Sequence, residues 1–459
     1  MRILRAILER SLLFVTLLAP GPLLGQRGST PLQSGPMVGY SEMTGVQLWV
    51  QTTRKASVQF KFWPVGNISE SRTTPPVTTS TEGSFVARVP IDDLSPGTRF
   101  EYQLVIDGKS IARPYPLLFQ TQSLWQWRTD PPSFSAVIGS CLYVNEKEVD
   151  RPGAPYGSDE KILSTIASLK PDMMLWLGDN TYYREVDWNT AGGLRHRWTH
   201  TRSMPELQPL LGSVHHYYMW DDHDFGPNDA DRSYRLRTEA LETHKLFTAN
   251  GTYGTLETPG VFSRFEWADV EFFMMDDRFH RAPNSSPEGP EKVMWGSAQL
   301  QWLKDGLLNS RAPFKIVANG NQVLNPLCEY EALVRYQNEY NELLSFIKQN
   351  RISGVVFLSG DRHMSELIAL PDTALYPLYD FTSSSMTAGL SKPRGAEVNN
   401  PNRVSGTLVT DFHTFGVLRF SGPRTDRSLT MECRDADGNV RWTFTVRAND
   451  LRPPRQSNR

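Results

Sequence analysis

The sequence predicts an α/β domain of β-sheets flanked by helices, preceded by a small all-β sandwich. Four short apolar runs end abruptly in polar residues: 136–138 before Gly139-Ser140-Cys141, 173–177 before Gly178-Asp179-Asn180-Thr181-Tyr182, 217–220 before Asp221-Asp222-His223-Asp224, and 355–358 before Ser359-Gly360-Asp361-Arg362-His363. A continuous apolar run reads as a buried parallel strand, and open α/β sheets place ligands beyond the carboxyl ends of such strands. Segments 159–169, 194–211, 297–308 and 331–349 carry apolar residues at helical spacing with charges between them, so strands alternate with helices. Length is the third observation: 459 residues exceed what one hydrophobic core usually organises, so two domains are expected.

Taken in order, Arg2, Arg5 and Arg10 precede an uncharged stretch that ends in Gly25-Gln26, the pattern of a signal peptide over 1–25. The run is shorter than the roughly 20 apolar residues that span a bilayer. No transmembrane segment is expected elsewhere, and the chain reads as secreted or periplasmic. Residues 26–36 read as a polar linker. Over 37–125, segments 46–50, 58–62, 85–89 and 102–106 alternate at period two between Pro, Gly and Asp-Gly turn signals, which predicts an antiparallel sandwich. Within it, Leu94-Ser95-Pro96-Gly97-Thr98-Arg99-Phe100-Glu101-Tyr102 resembles the corner of a fibronectin type III-like module. The larger domain is expected over 130–448. Its last part, 413–420, 428–433 and 440–446, returns to β alternation and is expected to complete a second sheet of that domain. The Pro/Arg-rich end, 449–459, reads as a disordered tail.

Composition narrows the function classes. With 48 basic and 50 acidic side chains there is no global electrostatic preference, hence no footprint of a nucleic-acid partner. Three cysteines, Cys141, Cys328 and Cys433, cannot staple an exported chain of this size, and at least one thiol is left free or metal-bound.

The strand ends carry the chemistry. Asp179 follows a glycine and projects a hard oxygen donor, and such a carboxylate can bridge two metals about 3.5–4 Å apart. Tyr182 can return to the same place as a phenolate or pack beneath the loop. In Asp221-Asp222-His223-Asp224, three carboxylates around one imidazole repel unless cations, hydrogen bonds or water screen them; a solvated acidic loop is the alternative. Asp361 and His363 face one way if their segment stays extended, with Arg362 opposite. Cys141 is either a soft ligand that favours iron or zinc or an inert buried thiol. Arg278 and Arg281, after the apolar run 270–275, match phosphate oxygens or pair with Asp276 and Asp277.

In order and spacing, these segments, with Asp276-Asp277-Arg278-Phe279-His280-Arg281, Trp302-Leu303-Lys304-Asp305 and Gly360-Asp361-Arg362-His363-Met364-Ser365-Glu366-Leu367, resemble the alkaline phosphatase D (PhoD-like) family of calcineurin-like metallophosphoesterases. The resemblance runs from about 134 to 367. It implies an α/β metallophosphoesterase-type domain behind a fibronectin type III-like sandwich, and an exported phosphoric ester hydrolase, alkaline phosphatase or phosphodiesterase, with a phosphate ester as substrate. The cofactors it implies are Fe3+ and a divalent metal, Ca2+ in family members. Cys141, Asp179, Tyr182 and His363 look like the iron-side set, with Asp179 as the bridge. Asp222 and Asp361 look like donors to the divalent side, and His223 resembles the histidine that stabilises the phosphoryl group or protonates the leaving oxygen. A metal-activated hydroxide would attack phosphorus in line, Arg278 and Arg281 adding positive charge.

Three positions depart from the wider superfamily: cysteine stands for an acidic ligand at Cys141, Asp222 for asparagine and Asp361 for histidine. Segment 316–322 offers only amides where the superfamily has a histidine motif. An oxygen-rich divalent site favours calcium or magnesium over zinc. Two other readings stay open: a phospholipid-directed phosphodiesterase, and a non-catalytic extracellular binding protein with a vestigial hydrolase domain.

Overall fold

The computed structural model describes residues 30–372 and 375–454; the signal peptide expected at 1–25 lies outside them. Two large mixed sheets form the α/β part. The nine-stranded sheet runs Val440–Arg447, Ser428–Asp435, Thr414–Ser421, Phe134–Gly139, Met173–Leu177, His215–Met219, Leu32–Ser41, Val46–Thr52, Val86–Ile91. Its Phe134–Gly139, Met173–Leu177 and His215–Met219 strands are parallel. The six-stranded sheet runs Ser263–Trp267, Val270–Met274, Phe314–Asn319, Val355–Ser359, Leu378–Thr382, Glu366–Leu370, its four middle strands parallel.

Period-two alternation divides the interior. Ile138, Leu175, Tyr217 and Met219 share a core with Phe272, Ile316 and Leu358 of the six-stranded sheet. Their neighbours Val137, Met174, Trp176 and Tyr218 pack with Ile162, Trp198 and Leu210 of the helices Lys161–Leu169, Ala191–Arg202 and Gln208–Leu211. Both faces of the parallel strands are therefore covered, which is why those strands read as unbroken apolar runs. The helix expected over 194–211 breaks before Pro205, as a residue preceding proline is disfavoured in the α region.

A third, smaller sheet of Arg72–Thr73, Ser57–Pro64, Arg99–Ile106 and Lys109–Ile111 closes the N-terminal sandwich. That sandwich has its own core, including Leu48, Phe60, Phe100 and Tyr102. Its other layer is continuous with the nine-stranded sheet, because Leu32–Ser41 pairs in parallel with His215–Met219 through Val38 and His215. The linker expected over 26–36 is thus too long: the strand begins at Leu32. Main-chain pairing holds this segment, and Gly39 is required there because a Cβ would lie 2.5 Å from the Ala249 carbonyl oxygen.

Two further expectations are corrected. The strands Thr414–Ser421, Ser428–Asp435 and Val440–Arg447 extend the sheet of the first strand ends instead of completing a second one, because Thr414–Ser421 pairs antiparallel with Phe134–Gly139. Of the tail expected to be disordered over 449–459, the described part is docked through Leu451, whose side chain is fully buried and whose carbonyl accepts from the Gly354 N–H at 2.9 Å; 455–459 lie outside the described residues. Among the described residues no helix is long and apolar enough to cross a membrane.

Candidate metal centre

All four apolar runs deliver their polar residues to one place, through backbone that turns sharply at each strand end. Cys141, Asp179, Asp361 and His363 have φ of 59°, 52°, 65° and 54°, left-handed values that cost a non-glycine residue roughly 1–2 kcal/mol. Such strain persists where the surroundings over-determine the geometry, and it clusters at functional sites. Gly178, at φ 93°, permits the turn before Asp179, since a Cβ there would lie 2.6 Å from that of Asp221. Asp361 and His363 therefore reach the site by a left-handed bend, not by the extended alternation expected from their spacing.

Asp179 is the hub. Its Oδ2 lies 3.5 Å from Cys141 Sγ and accepts from the Tyr182 hydroxyl at 2.9 Å. The same hydroxyl is 3.3 Å from His363 Nε2. On the other side, Asp179 Oδ1 accepts from the His223 N–H at 3.2 Å. Cys141, Asp179 and His363 each offer a ligand atom, all within 4.8 Å of one another, and so do Asp179, Asp222 and His223. A third such group is Asp222, Asp229 and Glu331. Asp361 belongs to none of these groups, yet its charge acts on both Cys141 and Asp179. The imidazole of His363 is held at Nδ1 by the Gly389 carbonyl, a contact that puts the proton on Nδ1 and leaves Nε2 as a lone-pair donor.

Electrostatics follow from packing so many anions together. Burial, then the charges of Asp222 and Cys141, push Asp179 well above the usual carboxylate range. Burial, then Asp222 and Glu331, push Asp361 up to about 7, and burial pushes the Cys141 thiol up to about 11. Asp222 goes the other way, held down by the charges of His223 and Arg278 against its own burial. Burial lowers His223, with Asp222 opposing. Groups that resist ionising because like charges face them ionise readily beside a cation. A donor set of thiol, phenol, imidazole and carboxylate around one shared aspartate fits a pair of metal ions, with the softer donors on one side.

The acidic tetrad divides by role. Asp221 caps the short helix Asp222–Phe225, reciprocally with Asp224, and Asp224 accepts from the N–H groups of Asn180 and Thr181 at 2.8 and 3.1 Å. These two fix the loops, which leaves Asp222 and His223 for the site. The His223 ring stacks on Tyr182 at 4.1 Å between centroids, and its Nδ1 has no hydrogen-bond partner among the described residues.

Arg278 and Arg281 require a correction, because both side chains are fully buried and neither is available to a substrate. The neighbouring Asp276 and Asp277 that the sequence offers are minor partners: the Arg278 main-chain N–H donates to Asp276 at 3.0 Å and its Nε lies 3.9 Å from Asp277 Oδ1. Arg278 Nε donates to Asp221 Oδ1 at 2.6 Å and its other nitrogens reach Glu331 and the Ala230 carbonyl. Arg281 donates to Asn321 and Glu331, each at 2.6 Å, and to Asn284 at 2.8 Å. The two guanidinium groups thus position Asp221 and Glu331 behind the donors. Asn321, one of the amides in 316–322, also donates to Asp221.

Several residues at the site escape the sequence reading. Ser384 Oγ donates to Cys141 Sγ at 3.0 Å and accepts from the His363 N–H at 2.9 Å. It follows the strand Leu378–Thr382, where Asp380 and Thr382 interrupt the apolar pattern, so the signal that marked the other four strand ends is missing here. Asp229 and Glu331 come from loops far from any strand end, and nothing in their local pattern marks them.

The sheets, their topology and this cluster at their carboxyl edge define a metallophosphoesterase fold. Residues 156–419 match the family model of PhoD-like phosphatases, and the chain belongs to that family. Residues 29–123 match a domain of unknown function (DUF7800). Alkaline phosphatase D of Bacillus subtilis (strain 168) is 21% identical over 250 residues. That match spans 44% of this chain and 42% of the relative, so the chain spans less than half the length of this curated relative. A solved structure of PhoD superposes with a TM-score of 0.76 at 17% identity, covering 94% of this chain and 93% of that one. A purple acid phosphatase from yellow lupin (Lupinus luteus) seeds gives a TM-score of 0.65 at 12% identity, covering 93% and 78%.

Proposed function

We propose that this chain is an exported, metal-dependent phosphoric ester hydrolase. The observation that carries the reading is Asp179, shared between the Cys141–His363 group and the Asp222–His223 group. A carboxylate common to two donor groups is the arrangement by which two cations are held together. Cys141, Asp179, Tyr182 and His363 would hold a trivalent ion, Fe3+; Asp179, Asp222 and Asp361 would hold a divalent one, Ca2+, with Asp229 and Glu331 close by. When bound, the cations supply Lewis acidity toward the phosphoryl oxygens and lower the pKa of water.

The chain's own residues do the rest. Tyr182 and the left-handed backbone at Asp179 fix the shared carboxylate. Ser384 steadies the thiol, and the Gly389 carbonyl fixes the His363 ring. His223 Nδ1, without a hydrogen-bond partner among the described residues, would deliver a proton to the departing ester oxygen, and burial makes its protonated form the stronger acid. Arg278 and Arg281 act at one remove, holding Glu331 and Asp221.

The test is metal analysis of the purified protein together with turnover of p-nitrophenyl phosphate and bis-p-nitrophenyl phosphate. Bound iron and calcium with turnover of either ester supports the reading. Faster turnover of the second ester defines a diesterase. A folded protein that carries iron and calcium and hydrolyses neither would sink it.

A further inference from the structure

The donors open into a cleft of about 620 Å³ whose lining includes Asp229, Tyr330, Glu331, Arg335, Asp361 and His363. Carboxylates dominate its fixed charge, so an anionic substrate gains from any cation that the donors and their partners do not already occupy. Arg278 and Arg281 are fully buried. Arg362 also lines the cleft, but its guanidinium is committed to Glu397 through two hydrogen bonds of 2.8 Å. Arg335 differs: its side chain is exposed, and among the described residues no ion pair or hydrogen bond engages its guanidinium.

Arg335 is also rigidly presented. It ends the 3-10 turn Leu333–Arg335, between Leu333 and Tyr336, both fully buried. The Leu333 N–H donates to the Gln322 carbonyl at 2.9 Å and the Tyr336 hydroxyl to the Ala282 carbonyl at 2.9 Å. A cation on an anchored turn loses little backbone freedom when it grips a ligand. Tyr330 and Leu390 line the same cleft and expose 46% and 39% of their surface; the Arg362 guanidinium lies over the Tyr330 ring at 5.3 Å, and the surface that stays exposed offers apolar area to an organic group.

We propose that Arg335 forms a second anion subsite in this cleft, which Tyr330 and Leu390 also line. The substrate class it defines is a phosphoric ester whose leaving group carries a ring or aliphatic face and a further anionic group. Water adds to phosphorus, the P–O ester bond breaks, and inorganic phosphate and the alcohol leave, the second anion staying on Arg335 throughout. This rests on the hydrolase reading above.

The experiment compares adenosine 3′,5′-bisphosphate with adenosine 3′-monophosphate by phosphate release, on the metal-loaded protein. The wild type shows the lower KM for the bisphosphate. Arg335→Ala raises that KM roughly tenfold more than it raises the KM for the monophosphate, with kcat changed less than KM, as expected for loss of one charge-assisted hydrogen bond. Arg335→Lys recovers part of the difference, and Arg311→Ala, on an exposed loop residue outside this cleft, leaves the ratio of the two KM values unchanged. Equal effects of Arg335→Ala on both substrates, or no effect on either, would overturn the subsite. Failure of the metal-loaded wild type to hydrolyse both p-nitrophenyl phosphate and bis-p-nitrophenyl phosphate would instead refute the underlying hydrolase reading.

Discussion

Two clusters of buried charge lie side by side at the carboxyl edge of the sheets, and they are built on opposite principles. In one, Arg278 and Arg281 face Asp221 and Glu331, so cations and anions answer each other within the fold. In the other, Cys141, Asp179, Asp222, Asp361 and Tyr182 gather around two imidazoles, and among the described residues no arginine or lysine is in ion-pair contact with them. The charges of the first cluster are largely compensated within the fold, whereas the second is an excess of acidic groups, most of them held back from ionising by burial, that a cation from outside would ionise. Fixed positive charge is thus kept one layer behind the donors, where it stiffens Asp221 and Glu331 without competing for a metal.

The largest expected effect strikes the hub of the second cluster. Asp179→Asn keeps the shape but removes the charge shared by both donor groups, so bound metal and turnover are expected to vanish together. Circular dichroism establishes folding and elemental analysis reads the metal. An active, metal-free variant would refute the site.

Cutting the first cluster is expected to cost stability. Arg278→Ala leaves Asp221 and Glu331 buried without their main counter-charge, a loss of roughly 3–5 kcal/mol, read as a lower urea midpoint. A change below about 1 kcal/mol, within the range of a surface pair, would show that the cluster is not self-compensating.

How much of this was legible in the sequence follows the same division. The residues of the second cluster follow unbroken apolar runs, so Cys141, Asp179, Asp222 and His363 could be singled out from the chain as candidate donors, and the fold brings them to one place. The partners in the first cluster could not. Arg278 stands beside Asp276 and Asp277 in sequence, yet it pairs mainly with Asp221 and Glu331, 57 and 53 residues away. Periodicity reports which face of a strand is apolar, and carries no information on which loop folds back over it. The same limit hid the strand Leu32–Ser41, whose Gly35-Pro36 reads locally as linker and which is held by pairing with Val46–Thr52 and His215–Met219. Ser384 marks a different limit: Asp380 and Thr382 interrupt its strand in the sequence, and serine is a weak signal beside cysteine and aspartate.

The pH dependence of stability should separate the clusters further. Asp361 is pushed up to about 7 and, in the loop-fixing pair, Asp224 up to about 8, both chiefly by burial. A carboxyl whose folded pKa is raised contributes stability that is fully present below its unfolded pKa, near 4, and is lost as pH rises through the folded value. Metal-free protein is therefore expected to lose stability between about pH 4 and 8, at up to about 1.4 kcal/mol per pH unit for each such group. Bound cations favour the ionised donors and offset the part due to Asp179 and Asp361. The gap in Tm between metal-loaded and chelated protein should then widen from pH 5 to pH 8. A constant gap would mean that these carboxyls are already ionised without metal.

The smallest effect sharpens the comparison most, because it probes a contact that supports a donor without being one. Ser384 donates to Cys141 Sγ and accepts from the His363 N–H, so one hydroxyl ties two donors of the softer side together. Ser384→Ala removes both bonds and leaves every proposed ligand in place. Partners of this kind are typically worth 10–100-fold in metal affinity. Iron affinity is therefore expected to fall by about that factor while calcium affinity, set by carboxylates on the other side of Asp179, changes less. Titration of each ion into chelated protein distinguishes the outcomes. If both affinities fall equally, the two sides are one rigid unit, and the division of donors across Asp179 is wrong.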